Sequence, residues 1–311
     1  MPQGDYLPEG MLIGTERNKE HTRGSKNILK AMAKKTVLEG VAVMCDRQRN
    51  LSVDMGGESG YIPREEAAVG LTEGRIRDIA VISKVGKPIC FEITGRREGL
   101  WLLSRRAVQQ KALDYFMDNL QSGDVIKCTV THLEPFGAFV DIGCGNISMI
   151  GIENISVSRI THPSERFREG QKILAVVTGK DRKMQRVSLS HKELLGTWEE
   201  NAERFASGQT ALGIVRGVED YGVFVELSPN LSGLAEKKEG LRPGDPVSVY
   251  IKSMIPDKMK VKLVIIDRLP KGRKAFIKEE DYFIRSGNIK EWIYSPACSQ
   301  GRVIENRFGA V

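Results

Sequence analysis

Two pairs of aromatic residues with the same spacing are the strongest candidates for a functional surface in this sequence. Phe136 and Phe139 lie three residues apart across Gly137, and Tyr221 and Phe224 repeat that arrangement farther along. Positions three apart face opposite sides of a regular strand, but a glycine between them permits a bulge or turn that brings both rings to one side. Exposed aromatic rings can stack on nucleobases of any sequence, because every base has a π-face.

The strands that carry these rings also contain smaller apolar residues suited to a core. These residues are Ala138, Val140 and Ile142 in one segment and Val223, Val225 and Leu227 in the other. In an arbitrary β-protein the rings themselves would be core residues. Here the smaller residues already supply the inward-facing positions, so the rings are better explained as surface platforms.

Basic residues follow each aromatic pair. Lys260 and Lys262 alternate along a predicted strand, which puts their ammonium groups on one face. Arg186 belongs to a hairpin of four basic residues between Gly179 and Ser190, which is by default a solvated surface. Beside an aromatic platform, such charges would neutralise phosphates and make the affinity for a nucleic acid fall with salt.

Residues 122–193 contain five predicted short strands, the pattern of a small barrel. They hold, in order, Gly-Asp-Val, Phe-Gly-Ala-Phe-Val-Asp, His-Pro-Ser-Glu and Arg-Val-Ser-Leu-Ser. This order resembles the S-one RNA-binding domain, an oligonucleotide-binding-fold (OB-fold) barrel named after a small-subunit ribosomal protein. The resemblance implies an RNA-contacting face at Phe136, Phe139, Asp141 and Arg186. It departs from the family pattern at Gly151, where a histidine is expected.

Two of these candidates have structural alternatives. Asp141 ends a strand, so its carboxylate could instead cap a turn or accept a hydrogen bond from a backbone amide. His162 precedes a proline in a loop and is expected to be a structural or rim residue; we include it among the RNA-binding candidates.

Two further segments repeat the features of residues 122–193. Residues 28–106 follow the same order, but no Phe, Tyr or Trp occurs between Ala31 and Gly60, so this copy is degenerate and is predicted to contact protein. Residues 207–268 form a shortened copy, which carries Glu236 at the position of the family's histidine. We therefore predict a mainly β fold of three tandem five-stranded OB-fold barrels of the S-one type, joined by short helices.

The remaining segments complete this division of the chain. We predict linker helices at 107–121 and 194–206. Residues 1–27 have hardly any large apolar side chains and are predicted to be a flexible tail. Residues 269–311 form a C-terminal extension of unknown role, which begins with a basic linker.

Composition favours a binding protein over an enzyme. The formal net charge is +7 and the sequence pI is about 9.1, which favours an anionic partner only weakly. The five cysteines form no Cys-x-x-Cys pair, and no histidine pair has metal-ligand spacing. We predict no metal, no cofactor and no catalytic residue. No apolar run is long enough to span a membrane, so we expect a cytoplasmic protein with no membrane partner.

The resemblance implies binding of single-stranded RNA, messenger RNA in particular, in translation. The first barrel is the candidate for attachment to the small ribosomal subunit. The main alternative is a protein-interaction scaffold of OB-fold barrels, on the ribosome or in an RNA-processing complex, with weak RNA affinity. A nucleic-acid-processing enzyme with its catalytic part in the C-terminal extension is a weaker alternative, because that extension shows no acid cluster.

Overall fold

A computed structural model describes residues 2–270, 277–278, 281–301 and 303–309 of the chain. The fold is mainly β and contains three closed five-stranded barrels in tandem, as the sequence predicts. The basic run at 271–274 lies outside the described residues. No helix in the described ranges has the length and apolar character needed to cross a bilayer.

The first barrel is built from β1 to β5, in the spatial order β1-β2-β3-β5-β4. Its strands are β1 Leu38–Cys45, β2 Leu51–Asp54, β3 Ser59–Ile62, β4 Pro88–Arg97 and β5 Leu100–Ser104. A short helix, α3 Ile79–Ile82, lies in the connection between β3 and β4. The barrel closes because β3 pairs with β5 in parallel, whereas the other strand pairs are antiparallel.

The central and third barrels repeat this topology. The central barrel consists of β6 Val125–Glu134, β7 Gly137–Gly143, β8 Asn146–Gly151, β9 Lys172–Asp181 and β10 Arg186–Ser190. The third barrel consists of β11 Thr210–Glu219, β12 Gly222–Ser228, β13 Leu231–Ala235, β14 Pro246–Ile255 and β15 Lys260–Arg268. Alternate residues of these strands are buried, among them Ala138, Val140, Val223 and Val225, as predicted for inward-facing positions.

Helices join the barrels, close to the predicted positions. Helix α4, Arg105–Asn119, begins at Ser104, whose hydroxyl accepts a hydrogen bond from the amide of Ala107. The second linker is shorter than predicted: a 3-10 turn at Lys192–Leu195 is followed by α5, Trp198–Ala202. Gly196 separates the two pieces with φ of +80°, and the Phe283 ring packs where a Cβ at this position would lie.

The N-terminal residues differ from the prediction of a flexible tail at 1–27. Residues 2–27 include α1, Glu16–Thr22, and the start of α2, Ser25–Ala33. Gln3 is fully buried, and its amide nitrogen donates to the carbonyls of Lys127 and Ile142 at 2.7 and 2.6 Å. This segment is held by polar side chains and backbone hydrogen bonds to the first two barrels, which a prediction based on apolar content does not detect.

The C-terminal extension packs mainly along the outside of the central barrel. The amide of Ile289 donates to the carbonyl of Gly123, and the Tyr282 hydroxyl accepts from the amide of Leu174 and contacts the ring of His191. Its end forms a two-stranded hairpin of β16, Glu291–Ile293, and β17, Glu305–Arg307. Buried side chains of the extension, among them Tyr282 and Trp292, therefore join the hydrophobic cluster that includes the cores of the central and third barrels.

Candidate nucleic-acid interface

The rings of Phe136 and Phe139 lie together on the surface of the central barrel. Phe136 stands in the turn before β7 and is 56% exposed, whereas Phe139 lies on β7 and is half-buried. The ring centroids are 6.0 Å apart and the ring planes are nearly perpendicular. Gly137 is required between them, because a Cβ there would lie 2.6 Å from the carbonyl oxygen of Ile150 on β8.

Strand register extends this aromatic pair into a row across the central barrel. Phe139 lies opposite His132 on β6 and Met149 on β8, and Met149 lies opposite Ser188 on β10. The imidazole of His132 stacks on the Phe139 ring at a centroid distance of 6.4 Å. The sequence analysis missed His132 and Met149, because only the pairing of strands reveals that they adjoin Phe139.

His132 lies at the edge of this row and contacts two carboxylates. Its Nδ1 lies 2.9 Å from Glu169 Oε1 and its Nε2 lies 2.9 Å from Glu134 Oε1. Hydrogen bonds to Glu169 and Glu134 stabilise the imidazolium and raise the pKa of His132 above its usual value. The charge beside Phe139 therefore depends on pH.

Arg186 lies on the same face of β10 as Ser188, two residues away. Its side chain is exposed and makes no ion pair with any described residue. Two of its neighbours in the basic hairpin are engaged elsewhere: Lys180 and Arg182 both donate to the carbonyl of Met117 at the end of α4. Arg186 is thus better placed than these two residues to meet a phosphate near the aromatic row.

The third barrel repeats the arrangement of the central barrel. Tyr221 is 69% exposed, and its ring centroid lies 6.1 Å from that of Phe224, again with nearly perpendicular planes. Phe224 lies opposite Leu234 on β13, which lies opposite Lys262 on β15. Lys260 lies two residues before Lys262 on the same face, at the position that Arg186 has in the central barrel. Neither lysine has an ion-pair partner within the described ranges.

The location of Asp141 corrects the expectation that it contacts RNA. Its side chain is buried, at 3% exposure, beneath the N-terminal segment. One carboxylate oxygen accepts from the amides of Gly143 and Gly145, and the other accepts from the amide of Glu9 at 2.7 Å. Burial and the nearby Glu9 carboxylate raise the pKa of Asp141 to about 7. Asp141 caps the β7–β8 turn, the alternative that its place at a strand end allowed.

His162 lies away from the strands that carry the aromatic row. It caps the 3-10 turn Pro163–Glu165, and its Nδ1 accepts from the amide of Ser164 at 3.1 Å. It lines a cleft of about 270 Å³, together with Arg216 of the third barrel. A contact between His162 and RNA stays a prediction.

The first barrel presents a different surface at the same register. Met44, Ser52, Tyr61 and Leu102 take the positions of His132, Phe139, Met149 and Ser188. The aromatic pair is missing, as the sequence predicts. Ser52 takes the place of the Phe139 ring, and the exposed apolar side chains of Met44 and Leu100 take the places of His132 and Arg186.

Comparison with known proteins agrees with this architecture. The sequence profile of the family described as the S1 RNA binding domain matches residues 119–192, the central barrel. Small ribosomal subunit protein bS1 of Rickettsia conorii is 31% identical over 193 residues, which cover 60% of this chain and 33% of that protein. The bS1 protein of Staphylococcus aureus is 30% identical over 256 residues, 74% of this chain and 64% of that protein.

One solved structure, a multidomain protein with nucleic acid binding domains from Streptococcus pneumoniae, is 14% identical. The alignment covers 76% of this chain and 75% of that chain, at a TM-score of 0.26. The chain spans between a third and about two thirds of the length of the two bS1 relatives. The central barrel matches the S1 RNA-binding domain, and the chain is similar over more than half of its length to small ribosomal subunit proteins bS1.

Proposed function

We propose that this chain binds single-stranded RNA on the aromatic platforms of its central and third barrels, as a binding protein without catalysis. One observation carries the proposal: both barrels present an exposed aromatic pair, an apolar neighbour and a basic residue at the same register. Phe139, Met149 and Arg186 in the central barrel correspond to Phe224, Leu234 and Lys260 in the third. An arrangement kept on the surface in two copies is hard to explain by core packing.

Stacking and phosphate neutralisation would together supply the affinity. A base stacked on an aromatic side chain contributes about 1–3 kcal/mol and tolerates any base identity. Lys262 lies in the row of Phe224, and Arg186 and Lys260 lie two residues along β10 and β15 from the two rows, with exposed side chains to neutralise phosphates. The chain's net charge of +7 is compatible with a polyanionic partner.

The two platforms are held in a fixed relationship, which favours simultaneous use. Glu226 of the third barrel accepts from Arg216 and from Arg166, which belongs to the His162–Glu165 connection region of the central barrel. These three side chains are nearly inaccessible to solvent. An RNA strand that occupies one platform therefore meets the second at a high effective concentration.

The names of the relatives suggest a setting for this activity. Those proteins are described as small ribosomal subunit proteins. We propose that the RNA is messenger RNA, that the chain acts in translation in the cytoplasm, and that the first barrel contacts the small ribosomal subunit. Exposed Met44 and Leu100 support a protein contact there, because these apolar side chains stand where the central barrel has His132 and Arg186.

A scaffold with weak RNA affinity is the second candidate. Glu134 and Glu169 lie beside the Phe139 platform, and Glu236 is exposed at the end of β13. These carboxylates repel phosphates and favour a function in which the barrels mainly contact protein.

The deciding experiment measures the affinity of the full chain for a short unstructured oligouridine over a salt series. The Phe136→Ala, Phe139→Ala double variant tests the central platform, and Tyr221→Ala, Phe224→Ala tests the third. Leu29→Ala, which removes an exposed side chain of α2 far from both platforms in sequence, is the control. Because each lost stack costs about 1–3 kcal/mol, we expect at least a fivefold loss for either double variant.

The outcomes separate the two candidates. Binding that weakens with salt and falls in both double variants supports stacking on the platforms. Undetectable binding by the wild-type chain, even at low salt, overturns the proposal and favours the scaffold. Unchanged affinity in both double variants also overturns the proposal, because the RNA would then bind elsewhere on the chain.

A further inference from the structure

A cleft of about 360 Å³ lies where the C-terminal extension meets the third barrel. Its walls come from five places: the connection after β8 in the central barrel, Trp198 of α5, β13, the β14–β15 turn with the start of β15, and the C-terminal hairpin. The residues that line it include Val157, Ser232, Lys258, Lys260, Tyr294 and Ile304. The sequence analysis assigned no role to the extension that closes this cleft.

Hydrogen bonds hold the walls of the cleft in place. The amide of Gln300 donates to the carbonyl of Asp257 at 2.8 Å, which ties the extension to the β14–β15 turn. The Tyr294 hydroxyl donates to the carbonyl of Asn230 at 2.6 Å. The hydroxyls of Ser158 and Ser232 lie 2.7 Å apart and join the central connection to β13. The cleft is therefore formed before any ligand arrives.

The cleft continues the aromatic row of the third barrel. Strands β13 and β15 are parallel, with Leu234 opposite Lys262. Ser232 and Lys260 lie two residues before this pair, on the same face of their strands, so the cleft begins roughly 7 Å from the row. A strand of RNA stacked on Phe224 would pass from the row directly into the cleft.

The chemistry of the cleft matches a nucleotide. Val157 and Ile304 offer apolar wall surface, and Lys258 and Lys260 stand at its rim with exposed ammonium groups. Neither lysine forms an ion pair with another residue in the part of the chain that the structure describes. Apolar walls suit the faces of a base, and unpaired cations suit its phosphate.

The central barrel lacks this enclosure at the corresponding place. Ile147 lies opposite Asp141 as Ser232 lies opposite Glu226, so the two positions are equivalent. Ile147 is 50% exposed, and Met184, in the β9–β10 turn, is 58% exposed. The extension thus gives the third barrel a walled site where the central barrel has an open surface.

We propose that this cleft binds one nucleotide of the single-stranded RNA that lies on the Phe224 platform, with its phosphate at Lys258 and Lys260. The inference rests on the proposed function and adds a site that the C-terminal extension builds. The extension thereby becomes part of the RNA interface.

Two variants of the full chain test the cleft without touching the aromatic platforms. Lys258→Ala removes a phosphate contact, so we expect about fivefold weaker binding of oligouridine and a salt slope smaller by about 0.7. Ile304→Ala removes apolar wall and should weaken binding with little change in slope. Lys290→Ala is the charge-matched control, because Lys290 is exposed on the extension and does not line the cleft. Crosslinking with 4-thiouridine-substituted RNA should mark the segments 256–260 and 292–304.

The result separates this inference from the proposed function. One result would overturn the inference: the Tyr221→Ala, Phe224→Ala double variant weakens binding, but the single variants Lys258→Ala and Ile304→Ala bind RNA with the affinity and the salt dependence of the wild-type chain. The cleft would then not be a nucleotide site. If the wild-type chain binds no RNA, the proposed function fails together with the inference. Lys258 is exposed, so its variant decides the matter even if Ile304→Ala disturbs folding.

Discussion

Arg166 and Glu226 join the central and third barrels through a buried ion pair. Arg166 follows the 3-10 turn at Pro163–Glu165, and Glu226 lies on β12. Glu226 also receives two hydrogen bonds from Arg216, at 2.7 and 3.0 Å. Arg216 also pairs with Glu165, so Glu226 and Glu165 together balance two guanidinium groups that are nearly inaccessible to solvent. Arg166 belongs to the connection between β8 and β9, which is longer than the corresponding connection between β13 and β14, so this longer connection holds the central barrel against the third.

The first prediction concerns this carboxylate. Glu226→Ala leaves Arg166 buried without a carboxylate partner and leaves Arg216 with Glu165 alone, so we expect the free energy of unfolding to fall by about 3–5 kcal/mol. Chemical denaturation of the full chain measures this change. Glu219→Ala, at an exposed position of β11, is the control and should cost less than about 0.5 kcal/mol. Equal stability of the two variants would show that the network does not support the interface between the barrels.

The second prediction concerns His132 and pH. Glu169 and Glu134 raise the pKa of His132, so the imidazolium is favoured in the folded chain and is lost as pH rises through that raised value. Because the cation lies beside Phe139, we expect RNA affinity to decrease as pH rises through this raised pKa. His132→Gln should reduce this decrease. The His132→Gln variant retains Asp141, whose pKa is also raised. The difference in pH dependence between the wild-type chain and this variant therefore reports the imidazole of His132 alone.

Binding measured at constant ionic strength provides the test. The ion pairs of His132 add stability at low pH, which is lost as pH rises through the folded-state pKa, so unfolding should be followed in parallel. The same pH dependence in the wild-type chain and in His132→Gln would contradict a role for this histidine.

The third prediction tests whether Asp141 stabilises the fold or contacts RNA. Asp141→Ala removes the acceptor of three backbone amides, those of Glu9, Gly143 and Gly145. We expect a loss of stability of about 1–3 kcal/mol and unchanged RNA affinity of the folded chain. Thermal unfolding and oligouridine binding, measured well below the transition temperature, check both halves. A folded variant with clearly weakened binding would return Asp141 to the interface.

The sequence predicts the fold and the aromatic platforms well, because both depend on local pattern. The exposure of Phe136 and Tyr221 can be predicted, because the smaller apolar residues on the following strands already fill the core positions. Asp141 shows why a role carried over from a family motif can be wrong. Its carboxylate accepts from the amide of Glu9, 132 residues away, and no local sequence pattern reveals that contact. Gln3 shows the same limit, because its partners are carbonyls on distant strands. The sequence does not reveal the cleft for the same reason, since its walls come from five separate segments.

The last prediction exploits a difference in charge between the two aromatic rows. Ser188 of the central barrel and Lys262 of the third occupy the same register, opposite Met149 and Leu234 respectively. Ser188→Lys should add a phosphate contact to the central row and steepen the salt dependence of RNA binding by about 0.7 in slope. Lys262→Ala should make it shallower by the same amount. Lys26→Ala, at an exposed position of α2, is the control. Because Ser188 is exposed, the added side chain extends into solvent without disturbing the barrel, and a gain of affinity is hard to attribute to damage. Unchanged slopes in both variants would mean that the RNA backbone does not follow these rows.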